Sequence, residues 1–97
     1  MTHQGQGGYQ LRVAGPAARA LAGRLPEKVA AAVYEFITTT LLDNPRRVGK
    51  PLALPPYQGT WSARRGSYRV LYEIDDQART VTVTVIEHRG DVYRSRG

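Results

Sequence analysis

Ser62-Ala63-Arg64-Arg65-Gly66-Ser67-Tyr68-Arg69-Val70-Leu71-Tyr72-Glu73-Ile74 is a basic turn running straight into an alternating strand. Arg65–Gly66 supplies the turn chemistry, and from Tyr68 the apolar and polar residues alternate with the two-residue period of a β-strand. A second alternating segment, Thr80–His88, follows after Asp75-Asp76-Gln77-Ala78, a sequence suited to a tight connection. It runs on into Arg89-Gly90-Asp91-Val92-Tyr93-Arg94. Two such segments joined by a short turn pair as an antiparallel hairpin. Arg69 near the start of one strand and His88 at the end of the next then fall at the same end of the sheet. Arginines, a histidine and a tyrosine gathered there can grip a phosphodiester and move a proton without a metal.

Period-two alternation sorts these strands into two faces. Tyr68, Val70, Tyr72 and Ile74 are expected on the covered face, with Val81, Val83 and Val85 opposite them. Arg69, Leu71 and Glu73 are expected on the open face, with Thr80, Thr82, Thr84, Ile86 and His88. On this reading Arg69 and His88 share the open face, and Glu87 points away from His88.

Upstream, a strand is expected near Thr60–Arg64, and Tyr9–Val13 alternates as a short strand. Pro16 is placed for the first turn of a helix ending near Leu25, with Ala17, Ala20, Leu21 and Leu25 on its buried stripe. Pro26 opens a second helix, with Glu27 near its N-terminus, where the helix dipole favours negative charge. Val29, Val33, Phe36, Ile37 and Leu41 form its apolar face, and Asn44–Pro45 ends it. The proline-rich stretch from Arg46 to Gln58 reads as an ordered loop, tacked down by Leu52, Leu54 and Tyr57. The order is β-α-α-β-β-β. The expected fold is α+β: a twisted antiparallel sheet, the N-terminal strand added beside it, with a helical hairpin packed on one face.

Ninety-seven residues suffice for one domain. Residues 9–97 are expected to form it, and Met1–Gly8, with nothing to bury, is expected to be a flexible tail. No apolar run is long enough to span a membrane, and no signal-peptide pattern opens the chain. The absence of cysteine removes disulfide and thiolate chemistry and fits a cytoplasmic protein. Two histidines without cysteine do not suggest a metal site, and neither metal nor cofactor is expected.

The net charge is +6, and most of it lies in the second half of the chain. Twelve of the fourteen basic residues are arginine, the side chain suited to forked phosphate contacts and base stacking. This favours a nucleic-acid surface or an acidic partner, although a solvated basic face has the same composition.

From Tyr9 to Arg94 the chain resembles the RelE/ParE superfamily of bacterial type II toxin–antitoxin toxins, and its RelE-like branch in particular. The matching residues are Asn44–Pro45, Gly49-Lys50-Pro51-Leu52, Gly59, Ala63–Arg69, Tyr72, Asp75–Asp76 and His88–Tyr93. The resemblance implies a ribosome-dependent endoribonuclease that cuts messenger RNA in the 30S decoding site and so inhibits translation. It implies a cognate antitoxin as partner, with operator DNA bound only through the antitoxin complex, and no membrane association.

Carried over by position, Arg69 matches the strand arginine that contacts the scissile phosphate, and Arg89 the second arginine that stabilises transition-state charge. Tyr93 matches a late tyrosine taking part in proton transfer. His88 is the residue type best suited to acid–base work near neutral pH. Arg64, Arg65, Lys50 and Trp61 are the expected RNA-binding set, Trp61 by stacking on a base. Where active members of the branch often carry two strand lysines, this chain has Thr60 and Ser62. Two other readings stand beside this one: a ParE-like DNA gyrase inhibitor, and a catalytically weak toxin homologue that only binds RNA or a partner.

Overall fold

A computed structural model describes residues 8–89. Residues 1–7 and 90–97, which include most of the expected tail and Tyr93, lie outside it. The elements are β1 (Gln10–Val13), α1 (Gly15–Arg19) continuing into a π-helical turn (Ala20–Arg24), α2 (Glu27–Thr38), α3 (Thr40–Asp43), β2 (Lys50–Pro51), β3 (Trp61–Arg65), β4 (Tyr68–Asp75) and β5 (Thr80–His88). One five-stranded sheet runs β1-β5-β4-β3-β2. The pairings β2·β3, β3·β4 and β4·β5 are antiparallel.

The α+β architecture is the expected one, with four refinements. β1 pairs in parallel with β5, Gln10 opposite Thr80 and Val13 opposite Val83. A parallel pair needs a long crossover, and the rest of the chain provides it. The helical hairpin is broken at Thr39, whose backbone leaves the helical region at φ −122° and ψ −82°. Thr38 and Thr39 turn their hydroxyls back onto the carbonyls of Tyr34 (2.8 Å) and Glu35 (2.6 Å). Such competition at β-branched threonines weakens a helix where it occurs. Third, the proline-rich loop contains a short edge strand, with Lys50 opposite Ser62 and Pro51 opposite Trp61. Proline is tolerated there because an edge strand has one side without ladder partners.

The fourth refinement is a β-bulge. Between Asp75↔Thr80 and Tyr72↔Val83 the hairpin register is regular, but Leu71 then pairs with Val85, so Thr84 is an extra residue. The Thr84 hydroxyl donates to the Leu71 carbonyl at 3.2 Å. Beyond the bulge every β5 side chain changes face. Ile86, opposite Val70, is buried in the core, and Val85 moves to the open face opposite Leu71.

The core lies between the helices and one sheet face. Val33, Phe36, Ile37 and Leu41 meet Val70, Tyr72, Val81, Val83 and Ile86. Tyr72 is fully buried, and its hydroxyl donates to the Pro45 carbonyl at 2.6 Å. Gly49 passes against it, so any Cβ there would collide with the Tyr72 hydroxyl and lie 2.8 Å from the Ser62 carbonyl oxygen. This close approach accounts for glycine at position 49. Among the described residues no helix is long and apolar enough to cross a membrane.

Candidate nucleic-acid interface

The hairpin between β3 and β4 closes over Gly66 and Ser67, with Arg65 opposite Tyr68. Gly66 sits at φ +55°, where a side chain would be strained. One residue behind this turn, Arg64 lies directly opposite Arg69, and Arg69 lies directly opposite Glu87. The three side chains form one row across three strands of the open face. Arg69 donates from Nε to Glu87 Oε1 at 2.9 Å, and a terminal nitrogen forms an ion pair with the same oxygen at 2.8 Å. Arg64 has no acidic partner among the described residues. One pairing step further along this face, Lys50 lies opposite Ser62.

Arg64, Arg69, Glu87, His88 and Arg89, together with the turn residues Gly66 to Tyr68, line an open cavity of about 220 Å³. The Arg89 backbone N–H donates to the Ser67 carbonyl at 2.8 Å, fixing the end of β5 against the turn. Arg69, Arg89, His88 and Arg64 are thus gathered at one end of the sheet. Tyr93 lies outside the described residues.

The expected face of His88 needs correction. The bulge at Thr84 places His88 opposite Tyr68, on the helix-covered side, and turns Glu87 towards Arg69. His88 reaches the cavity from the strand end, not from the open face. Arg65 and Trp61 are likewise separated from Arg64 and Lys50. Arg65 lies opposite Tyr68, with its guanidinium 4.7 Å from the centre of the Phe36 ring. Trp61 lies opposite Tyr72, packs against the core and carries Arg46 over its ring at 5.9 Å. Both belong to the helix face, because each is an odd number of residues away from Arg64.

Tyr68 meets Phe36 edge-on, with ring centres 6.5 Å apart. Burial raises its phenol pKa, against a smaller opposing pull from the Arg65 charge. It therefore stays protonated and does not compete for base chemistry at neutral pH. Glu87 was missed in the sequence because strict alternation assigns it to the covered face. No single-sequence signal marks Thr84 as the bulge.

At the far end of the sheet, Arg46 holds Asp76 with both carboxylate oxygens, at 3.0 and 2.8 Å, and the Tyr9 hydroxyl donates to Asp76 at 2.8 Å. Arg79 covers the Tyr9 ring at 4.5 Å. This cluster ties β1, the loop after α3 and the β4–β5 turn together, away from the cavity.

Residues 15–93 match the family described as "ParE toxin of type II toxin-antitoxin system, parDE". The chain is 51% identical over 71 residues to Toxin RelG of Mycobacterium tuberculosis, covering 73% of this chain and 80% of that protein. It is 49% identical over 86 residues to Toxin RelE of the same organism, covering 89% and 87%. In structure it is similar to the toxin–antitoxin complex RelBE2 of M. tuberculosis, with a TM-score of 0.79 at 46% identity, covering 84% of this chain and 99% of that one. The isolated Escherichia coli RelE toxin shares the fold at a TM-score of 0.67 and 20% identity, covering 91% of this chain and 94% of that one. The family profile carries the ParE name, whereas relatives identical at about half of the aligned positions carry RelE names. High identity over most of the chain resolves branches more finely than a superfamily profile. With its sheet, its helical cover and its row of arginines, the chain belongs to the RelE/ParE superfamily of type II toxin–antitoxin toxins, on the RelE-like side.

Proposed function

We propose that this toxin is a ribosome-dependent endoribonuclease that cleaves messenger RNA in the 30S decoding site and so inhibits translation in the bacterial cytoplasm. The observation that carries this reading is the pair of cross-strand neighbours Arg64 and Arg69 on the open face, with Arg89 at the same end. Like charges directly opposite on a sheet repel. An arrangement that keeps two guanidiniums side by side suits an anionic ligand, and forked donors match phosphate oxygens.

Cleavage proceeds by attack of the ribose 2′-hydroxyl on the adjacent phosphorus. Arg69 and Arg89 stabilise charge on the phosphoryl oxygens, Arg64 and Lys50 hold the flanking backbone, and His88 and Tyr93 take part in proton transfer. The ribosome supplies the messenger in an extended, reactive geometry, which suits a shallow site. Lys50, opposite Ser62, brings positive charge to the strand that lacks the branch's lysines.

A cognate antitoxin neutralises the toxin, and operator DNA is reached only through that complex. The groove between α2 and the β3–β4 turn, lined by Lys28, Val29, Ala32, Arg65 and Tyr68, suits a segment both apolar and acidic. Support comes from the solved relative RelBE2 of M. tuberculosis, which is a toxin–antitoxin complex.

Primer extension on a messenger in a purified translation system tests the nuclease. Ribosome-dependent cuts are expected from the wild type and not from Arg69→Ala or Arg89→Ala. Intact messenger at high wild-type concentration would overturn the reading.

A further inference from the structure

A carboxylate is an odd neighbour for a phosphate-gripping arginine. It repels the ligand, and an ion pair this open, with side chains 44% and 42% exposed, adds little to the fold. Glu87 nevertheless stands at the end of the row Arg64, Arg69, Glu87. Both close contacts from Arg69, one a hydrogen bond and one an ion-pair contact, fall on Oε1, so Oε2 has no partner among the described residues.

We propose, resting on the nuclease reading above, that Glu87 is the general base of the cleavage. Neighbouring strands lie about 4.8 Å apart. A phosphate held between Arg64 and Arg69 therefore has the Glu87 carboxylate about one strand spacing beyond Arg69. A reactive 2′-oxygen lies about 3–3.5 Å from phosphorus, on the way to that carboxylate.

The step balances without a metal or redox partner. Glu87 takes the 2′-hydroxyl proton, the 2′-oxygen forms its bond to phosphorus, and the bond from phosphorus to the 5′-oxygen breaks. The departing electron pair stays on the 5′-oxygen, which takes its proton from His88, a residue lining the same cavity. The products are a 2′,3′-cyclic phosphate and a 5′-hydroxyl. In this arrangement Arg69 both binds phosphate and aims the base. The bulge at Thr84 gains a purpose, since without it Glu87 would point into the covered face.

The bland alternative is that Glu87 only balances the Arg64–Arg69 charge, and the two accounts predict opposite results. Wild type, Glu87→Gln, Glu87→Ala and Arg69→Ala are compared by primer extension in the translation system, with ribosome co-sedimentation and circular dichroism alongside. As the general base, Glu87→Gln stays folded and ribosome-bound while cleavage falls at least about a hundredfold. Added formate then restores cleavage to Glu87→Ala and leaves Arg69→Ala inactive. Unchanged or faster cleavage by Glu87→Gln overturns the proposal in favour of charge balance. So does a loss in Glu87→Ala that formate does not repair. A wild type that leaves the messenger intact sinks the nuclease reading itself, an outcome that variant comparisons cannot mimic.

Discussion

Tyr72 shows how much one side chain carries here. Its ring fills the centre of the sandwich, its hydroxyl closes the Pro45 carbonyl, and the backbone at Gly49 is bare because that hydroxyl needs the space. Tyr72→Phe leaves a carbonyl without its donor and is expected to cost about 1–3 kcal/mol in urea unfolding. Burial pushes the Tyr72 phenol up to about 12. An unfolded tyrosine titrates near about 10, so the folded state favours the neutral form. That stability is fully present below about pH 10 and is lost as pH rises towards about 12. Unfolding free energies measured from neutral to alkaline pH should show that fall in the wild type and a shallower one in Tyr72→Phe.

Among the elements, β5 decides the site. Its first half obeys the alternation visible in the sequence, and Val81 and Val83 are fully buried. Its second half is offset by Thr84, so Ile86 is buried and Val85 is not. Ile86→Ala is therefore expected to cost about 2–5 kcal/mol, with Val85→Ala costing a fraction of that. The reverse order in chemical denaturation would restore the unbulged register and remove Glu87 from the arginine row. The other end of the sheet has its own clamp. The hydrogen bond from Arg46, with a second from Tyr9, holds the Asp76 carboxyl below the usual range. A depressed carboxyl contributes stability above its unfolded value, about 3.9, and loses it as pH falls through the folded value. Asp76→Asn should flatten the acid limb of the stability profile below about pH 4, read by thermal unfolding across pH.

For the molecule as a whole, charge and shape act together. A net charge of +6 draws the toxin to anionic surfaces, and the open face concentrates part of that charge where no helix covers the sheet. Binding to a short single-stranded RNA should weaken steeply with salt, because each phosphate contact releases counterions. Arg64→Ala is expected to lower the slope of log affinity against log salt by about 0.7, the value for one phosphate on a single strand. Fluorescence anisotropy over a salt series measures it. An unchanged slope would remove Arg64 from the phosphate contacts.

Local chemistry by itself determined the skeleton. Pro16, Pro26 and Asn44–Pro45 punctuate the helices, Gly66 turns the hairpin, Asp75–Ala78 joins β4 to β5, and two-residue alternation marks the strands. The residues from Ala63 to Arg69 and from His88 to Tyr93 carried the family resemblance. These signals are legible because they depend on neighbours a few positions away. Only the tertiary structure decided the rest. Thr84 became the extra residue, β1 joined in parallel, Lys50–Pro51 became an edge strand, and Trp61 and Arg65 went to the helix face. Each is a choice of partner from a distant part of the chain, where packing and hydrogen-bond closure outweigh local preference. Alternation is a count of two, and one inserted residue reverses everything beyond it. That reversal moved His88 off the face of Arg69 and put Glu87 in its place.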